Sequence, residues 1–311
     1  MKLFIIKTIG FILSMAFLLL LVNSIIGWSP KLYSNSVSFN AKMFDIKNNH
    51  LCDNPAILSL GSSMSLNNIS TQSVRLNIDS NFLNISSWGQ SIEFTYRNLV
   101  FFDTIYKPKT VIFPFNIGDF HTISPGRPNL TTHHYKSLFN PYDIEWNFLL
   151  KPSRQYHCYS KDSTNYNFLG FDKNGGVPLK RKGFNISPGR WENDTIYAPD
   201  LTQYLYLDSA YRLSIQSGFR LVLIQTPLRM GWQDSRSARD SIVLSEHLDK
   251  LTTYSEESGV QFINGLKFVS FDSLFVDYSH LSSDGSTLFT DSICKLIKLN
   301  TNVLHTNISA D

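Results

Sequence analysis

Five short apolar runs, mostly separated by segments with helical periodicity, constrain the fold of this chain more than any other feature. Each run is rich in Ile, Val, Leu or Phe and has the length of a buried strand. The runs span residues 56–61, 81–87, 110–116, 219–226 and 260–264. Helical patterns cover residues 91–106, 201–217, 235–258 and 283–299. Strands that alternate with helices predict a three-layer α/β/α fold, in which a parallel sheet carries helices on both faces.

A longer apolar segment lies near the N-terminus. Residues 8–30 contain no charged side chain, and Lys2 and Lys7 precede the apolar part. This length spans a bilayer, and basic residues before it favour a cytoplasmic N-terminus. A cleaved signal peptide is the alternative, but it has a shorter apolar core and ends at small residues, and no such site stands out. We therefore predict an uncleaved single-pass anchor over residues 1–28, with the rest of the chain outside the cytoplasmic membrane.

The remainder of the chain is predicted to hold a polar connector over residues 29–54 and one domain over 55–311. Within this domain, residues 120–199 contain many aromatic side chains and two Ser-Pro-Gly-Arg turns, but little periodicity. A segment of this length without regular pattern is typical of a functional insertion. Its aromatic and Arg side chains would suit a sugar-binding wall or lid. The alternative is an irregular surface insertion that packs on its own tyrosines.

Composition excludes several classes of partner. The net charge is only +3, and no basic cluster exceeds residues 180–182, so nucleic acid is not an expected partner. The three cysteines show no metal-like spacing, and an exported chain could join two of them; they are Cys52, Cys158 and Cys294. The histidines of the insertion have no acidic or cysteine partner spaced for a metal; they are His121, His133, His134 and His157. We expect neither a metal nor a cofactor.

Two short motifs carry side chains suited to acyl transfer. Gly61-Ser62-Ser63 directly follows the first apolar run, at a predicted strand-to-helix turn. Such a turn lifts a hydroxyl above the carboxyl edge of a parallel sheet, where open α/β sheets keep their sites. Near the C-terminus, Asp277 and His280 are three positions apart and would share one face of a helical turn. A carboxylate so placed can hold an imidazole in one tautomer, and that imidazole can take a proton from a serine.

Together these motifs resemble the SGNH/GDSL hydrolase superfamily, and the resemblance covers most of residues 55–299. In that family a Gly-Asp-Ser block after the first strand carries the nucleophile, and an Asp-x-x-His block supplies the acid and base. The resemblance implies Ser63 as the nucleophile, His280 as the base and Asp277 as the orienting acid. Ser62 replaces the Asp of the first block. This Gly-Ser-Ser form is similar to membrane-anchored branches, which include D-alanyl-transfer and exopolysaccharide O-acetyltransferase proteins.

The resemblance also implies an oxyanion hole. Its donors would be the backbone N–H groups of Ser63 and of Gly89, the latter at the junction after the second strand. The third block departs from the family, because the chain reads Asn-Ile-Gly-Asp over residues 116–119 where the family has Gly-x-Asn-Asp. Either Asn116 reaches the site from a shifted loop, or the third donor is missing.

A basic residue lies at the same edge of the predicted sheet. Arg229 follows the fourth strand and would emerge on the side of Ser63. It is predicted to bind a carboxylate or another polar group of the substrate; a surface salt bridge is the alternative.

These features predict an extracytoplasmic enzyme that transfers or hydrolyses an ester-linked acyl group, with acetyl as the expected group. By analogy with the family, the substrate is a cell-envelope polysaccharide, and the anchor favours a transferase that works beside a multipass membrane acyl donor. The alternative is a non-catalytic SGNH-like module that binds a glycan or scaffolds an envelope assembly. The altered third block and the Ser62 replacement favour that alternative.

Overall fold

The five apolar runs form one parallel β-sheet in the computed structural model, which describes residues 1–26, 36–50, 53–121, 168–180 and 195–308. The strands are β1 (Ile57–Ser59), β2 (Phe82–Asn84), β3 (Thr110–Phe115), β4 (Arg220–Gln225) and β5 (Gln261–Asn264). Their order in the sheet is β2-β1-β3-β4-β5, and all neighbouring pairs are parallel. This is the flavodoxin-like doubly wound order, in which ligands bind outside the carboxyl ends of the strands where the order reverses. The predicted fold class is confirmed.

Helices connect most of the strands. They are α1 (Lys2–Ile26), α2 (Val37–Asp45), α3 (Ser63–Asn68), α4 (Thr71–Asn77), α5 (Ile92–Ile105), α6 (Leu201–Ser217), α7 (Met230–Asp234), α8 (Ala238–Ser258) and α9 (Ser283–Ile308). A π-helical turn covers Ile46–His50, and 3₁₀ turns cover Ile117–Phe120 and Asp272–Leu274. The helix expected from residue 235 begins at Ala238 instead, because Ser237 caps it by accepting a hydrogen bond from the N–H of Asp240.

The two faces of the sheet bury two separate hydrophobic clusters, because successive strand side chains point to opposite sides. On one face, Leu58, Phe113 and Leu223 pack with apolar side chains of α2, α5, α6 and α8. On the other face, Ile112 and Val222 pack with side chains of α4 and α9. Each buried Leu, Ile or Phe contributes about 1.5–3 kcal/mol relative to an exposed one. These clusters make the sheet a rigid platform for the loops at its carboxyl edge.

Helix α2 lies inside the stretch predicted as a polar connector, and the sequence analysis missed it. Its side chains join the first cluster, and its Lys42 is fully buried. The Lys42 Nζ donates to the carbonyl oxygens of Asn84, at 3.1 Å, and of Gly175, and it lies 3.9 Å from the centre of the Phe171 ring. Burial lowers the pKa of this amine to about 8, against the opposing charges of Asp45 and Asp172. Lys42 thus ties α2 to the end of β2.

The N-terminal helix α1 differs in character from the others. Its residues 2–19 have a mean hydropathy of 2.0, and none of this window is buried against the rest of the chain. It is the one helix of the described residues that is long and apolar enough to cross a membrane, a property that a signal sequence near the N-terminus shares. At 1.5 Å per residue it is about 37 Å long, compared with about 30 Å for the hydrocarbon core of a bilayer.

Most of the predicted insertion lies outside the described residues. Of that segment, the structure describes residues 120–121, 168–180 and 195–199. Residues 168–180 pack against the sheet domain, where Leu169, Val177 and Leu179 share a buried cluster with Leu66. Among the cysteines, Cys294 is a buried free thiol whose pKa is raised to about 12 by burial, and Cys52 and Cys158 lie outside the described residues.

Candidate active site

Ser63 is the first residue of α3, four positions after Ser59, the last residue of β1. Ser62 is the helix cap, and its Oγ accepts a hydrogen bond from the N–H of Met64 at 3.1 Å. Gly61 cannot carry a side chain here, because a Cβ would lie 2.5 Å from the carbonyl oxygen of Pro114. The tight packing of this turn against β3 leaves Ser63 partly exposed at the carboxyl edge of the sheet. This is the strand-turn-helix arrangement expected for a nucleophilic serine.

Asp277 and His280 are in direct contact. The Oδ2 atom of Asp277 lies 2.6 Å from Nδ1 of His280, and both residues are buried. The Asp277 Oδ1 atom accepts hydrogen bonds from the backbone N–H groups of Ser279, at 2.8 Å, and His280, at 2.6 Å. Although burial alone would raise it, the pKa of Asp277 is held below its usual value by the His280 charge and by these hydrogen bonds. Because Nδ1 contacts Asp277, Nε2 is the ring nitrogen through which such an imidazole can exchange a proton with a serine or a substrate.

The geometry of this pair differs from the expected helical turn. Residues 276–279 form bends, and the loop is closed by an antiparallel bridge between Phe275 and Leu281. The N–H of Val276 donates to the carbonyl oxygen of His280 at 2.8 Å. The carboxylate and imidazole therefore meet because the Asp277 side chain caps its own turn, and not because the two residues share a helix face.

Asn68, the last residue of α3, joins the two motifs. Its Nδ2 donates to the carbonyl oxygen of Ser279 at 2.8 Å, and its Oδ1 accepts from the N–H of Leu281 at 2.8 Å. Its side chain is completely buried. The last residue of the helix that begins at Ser63 thus makes hydrogen bonds to the residues on either side of His280. These bonds join the C-terminal end of α3 to the loop that carries Asp277 and His280.

The third block lies against the serine turn. Asp119 Oδ2 accepts hydrogen bonds from Ser62 Oγ at 2.8 Å and from the N–H of Asn116 at 3.0 Å. Burial raises the pKa of Asp119 to about 7, although these two hydrogen bonds and the His280 charge act in the opposite direction. Sequence reasoning did not assign Asp119 a role. The sequence did contain a signal, because a carboxylate in the turn directly after β3 lies at the same edge of the sheet as Ser62.

Asn116 contacts the residue that follows the predicted nucleophile. Its Nδ2 lies 3.1 Å from the sulfur of Met64, and its Oδ1 accepts a hydrogen bond from the N–H of Gly118 at 2.8 Å. A role as oxyanion donor stays a prediction.

Gly89 lies in a turn after β2, with a φ of +66° that favours glycine. The chain leading to it runs beside the serine turn, because the N–H of Ser87 donates to the carbonyl oxygen of Gly61 at 3.2 Å. Gly89 is therefore at the same edge of the sheet as Ser63. Its contribution to an oxyanion hole stays a prediction.

Arg229 adjoins the Asp277–His280 loop through its backbone, since its N–H donates to the carbonyl oxygen of Tyr278 at 2.9 Å. The Tyr278 ring stacks on Trp232, with centroids 4.8 Å apart, and the guanidinium of Arg236 lies 4.5 Å from the Trp232 ring. Sequence reasoning missed this stack, because Trp232 and Tyr278 belong to segments without strand or helix periodicity. Substrate binding by Arg229 stays a prediction.

The described residues include no group of three or more His, Cys, Asp or Glu side chains placed to hold a metal ion. Of the four histidines named in the insertion, only His121 is described. Burial lowers the pKa of His121, and its ring lies 6.3 Å from that of Tyr197.

Asp119→Asn is expected to reduce the pH dependence of stability. The carboxyl has a pKa of about 7 in the folded chain and about 4 when unfolded. Its protonated form therefore stabilises the fold fully below pH of about 4, and this contribution is lost as the pH rises through about 7. Between pH 5 and pH 8 the parent should lose on the order of 2 kcal/mol more unfolding free energy than the variant. Urea unfolding at both pH values measures this, and equal losses in the two proteins would contradict it.

Comparison with known proteins gives structural neighbours only. No protein-family model and no curated protein matches the chain. Similar solved structures include a lipolytic protein of the G-D-S-L family from Veillonella parvula, with 13% identity, a TM-score of 0.38, and coverage of 75% of this chain and 93% of that one. Another is the aryl esterase of M. smegmatis, with 9% identity, a TM-score of 0.43, and coverage of 78% and 98%. A third is an acetylxylan esterase of Geobacillus stearothermophilus, with 11% identity, a TM-score of 0.41, and coverage of 78% and 94%. Likenesses of this size do not transfer a function, which must be argued from the residues of this chain.

Proposed function

We propose that the protein is a serine-dependent acyltransferase or esterase of the SGNH/GDSL superfamily. The observation that carries this proposal is the arrangement around α3. Ser63 opens the helix, and Asn68 at its other end bonds to both neighbours of His280, whose Nδ1 is held 2.6 Å from Asp277. A serine, an imidazole and a buried carboxylate in this order form the chain of groups that activates a nucleophile.

In the first half of the reaction, Ser63 Oγ attacks the carbonyl carbon of an acyl ester while His280 Nε2 takes the hydroxyl proton. Asp277 stabilises the imidazolium that forms. The tetrahedral intermediate then expels the alcohol of the donor, which takes the proton back from His280, and the acyl group remains on Ser63. The backbone N–H groups of Ser63 and Gly89, with Asn116, are the proposed donors to the oxyanion. One such donor typically contributes about 2.7–4 kcal/mol of transition-state stabilisation.

In the second half, His280 removes a proton from the acceptor, which attacks the acyl-enzyme and releases Ser63. Water as the acceptor makes the protein an esterase, and a sugar hydroxyl makes it a transferase. We propose acetyl as the acyl group and a cell-envelope polysaccharide as the acceptor. The Tyr278 ring, between Asp277 and His280 in sequence, is partly exposed and stacks on Trp232. It supports a sugar acceptor, because it offers a flat surface on which a sugar ring can pack.

An acyl-enzyme trap tests the proposal. The full-length protein in detergent micelles is mixed with p-nitrophenyl acetate, quenched in acid and digested. The peptide that contains Ser63 should carry one acetyl group, and an added envelope oligosaccharide should remove it faster than water does if the enzyme is a transferase. A non-catalytic glycan-binding or scaffolding module predicts release of nitrophenol no faster than the uncatalysed reaction, with no acetyl group on this peptide.

We further propose that α1 anchors the protein in the cytoplasmic membrane with its N-terminus inside and its catalytic domain outside. Lys2 and Lys7 at its N-terminal end and its uncharged apolar length support this topology. The acyl donor would then be a multipass membrane protein that delivers the acyl group to the outer face. This arrangement favours transfer over hydrolysis, because the donor and the polysaccharide meet at the same surface.

Alkaline carbonate washing should leave the protein in the membrane fraction, because an apolar helix of this length resists extraction. Protease added to spheroplasts should digest the domain and spare a small N-terminal fragment. As a control, Phe17→Lys combined with Leu18→Lys should weaken retention, since each central lysine costs about 2.5–3.5 kcal/mol on insertion. A soluble protein whose N-terminus lies just after α1 would show that the helix is a cleaved signal sequence.

A further inference from the structure

We propose that Asn68 is a positioning residue that sets the location of His280 relative to Ser63. The inference rests on the proposed function. Asn68 is not a member of the proposed triad, but its amide binds the backbone on both sides of His280. One bond goes to the carbonyl oxygen of Ser279 and the other to the N–H of Leu281, each at 2.8 Å.

The two bonds fix the loop in a way that bonds within the loop cannot. Asp277 bonds to Ser279 and His280, and the loop is closed on itself between Phe275 and Leu281. These internal bonds keep the carboxylate and imidazole together, but they would move with the loop as one body. The Asn68 amide is planar, and both its nitrogen and its oxygen bond to the loop backbone. It therefore holds the loop in a fixed position relative to α3.

Helix α3 transmits this position to the nucleophile. Ser63 and Asn68 are its first and last residues, about 7.5 Å apart along the axis at 1.5 Å per residue. About one and a half turns of helix therefore connect Ser63, which carries the hydroxyl, to Asn68, which holds the His280 loop. A displacement of about 1 Å between catalytic groups can cost about 100-fold in rate.

A side chain at position 68 must both donate a hydrogen bond to Ser279 and accept one from Leu281, as the amide of asparagine does. Leucine has a similar size but can neither donate to Ser279 nor accept from Leu281. Glutamine has both groups on a stem one carbon longer, so it can satisfy the backbone only by moving the loop. A buried side chain with no exposed surface leaves no room for water to replace the lost partner.

Asn67 supplies a matched control on the same helix. Its side chain is also buried, and its Nδ2 donates to the carbonyl oxygen of Val177 at 2.9 Å. That bond holds residues of the 168–180 segment and not the His280 loop. Asn67→Leu should therefore reduce thermal stability in the same way as Asn68→Leu without moving the base.

The experiment compares the full-length parent, Asn68→Leu, Asn68→Gln and Asn67→Leu in detergent micelles, below the melting temperature of all four. With p-nitrophenyl acetate, Asn68→Leu should lower kcat by about 100-fold and Asn68→Gln by about 10-fold, with KM changed by less than about 3-fold. Asn67→Leu should keep kcat within about 3-fold of the parent. If Asn68→Leu does not fold, the kcat of Asn68→Gln tests the role of Asn68.

A second readout does not depend on catalysis. The exchange rate of the imidazole C2–H of His280, followed by mass spectrometry of its peptide, reports the surroundings of the ring. It should change several-fold in the Asn68 variants and stay at the parent rate in Asn67→Leu. Parent values of kcat and of exchange in the folded Asn68 variants would overturn the inference. A parent without esterase activity would overturn the proposed function instead, and the exchange rates would still decide the role of Asn68.

Discussion

Ser63→Ala is expected to lower kcat for a small activated acetyl ester by at least about 10⁴-fold, because removal of the nucleophile from a serine triad leaves only the binding and oxyanion contributions. The fold should survive, since Ser63 is partly exposed at the start of α3 and alanine is well tolerated in a helix. The melting temperature should change by no more than about 2 °C. Stopped assays with p-nitrophenyl acetate and thermal unfolding of the same preparations measure both effects.

Ser70→Ala is the matched control. Ser70 caps the next helix, α4, by accepting a hydrogen bond from the N–H of Ser73 at 3.3 Å. Its replacement costs a helix cap, about 1 kcal/mol, but removes no group of the site. Activity should stay at the parent level in Ser70→Ala. If Ser63→Ala turned over the ester as fast as Ser70→Ala, Ser63 would not be the nucleophile.

Asp277→Asn is expected to keep the fold and lower kcat by about 10³–10⁴-fold. Oδ1 of the new side chain can still accept from the N–H groups of Ser279 and His280, so the turn should persist. Its amide would then face His280 Nδ1 as a donor and force the proton onto Nε2. In that tautomer the ring cannot take the proton of Ser63. The rate measurements should be repeated over a range of pH, so that a displaced profile is not mistaken for a loss of rate.

Asp272→Asn serves as the comparison in the same region. Asp272 begins the 3₁₀ turn before the Asp277–His280 loop, and its Oδ1 lies 3.5 Å from the backbone nitrogen of Gly231. It has no predicted part in proton transfer, and its replacement should leave kcat within about twofold, as is usual away from a site. An Asp277→Asn protein with the activity of Asp272→Asn would remove Asp277 from the mechanism.

Local patterns were enough to predict the sheet. Each strand is a short apolar run, and α3, α5, α6 and α8 each begin after a residue whose side chain caps them, so neighbouring residues determine both. The same is true of the turn at Ser63, where the apolar run stops at a glycine. Helix α2 was missed because its polar and apolar residues look like a connector, and only the fit of Phe39 and Met43 into the core reveals it.

The site could be predicted only in part. The positions of Ser63, Asp277 and His280 follow from motifs, but the bonds that join α3 to the Asp277–His280 loop depend on a residue that no local pattern marks. Asn68 looks like one of many asparagines in this chain until its amide meets residues more than two hundred positions away. The pairing of Asp119 with Ser62 spans 57 positions and is equally invisible to periodicity.

Under the proposed function, the Asn68 bonds also determine at what stage of folding the site is complete. They join residues 211 and 213 positions apart, so the site closes one of the longest loops in the domain. Closing such a loop costs conformational entropy before the contacts that it brings together can stabilise the fold. Contacts between residues so far apart in sequence therefore form late in folding. A chain still emerging from the ribosome or the export channel carries Ser63 before it carries Asp277 and His280. Under the proposed function, acyl chemistry is therefore confined to a folded chain that extends past His280, and a truncated product that ends before Asp277 would carry Ser63 without its base.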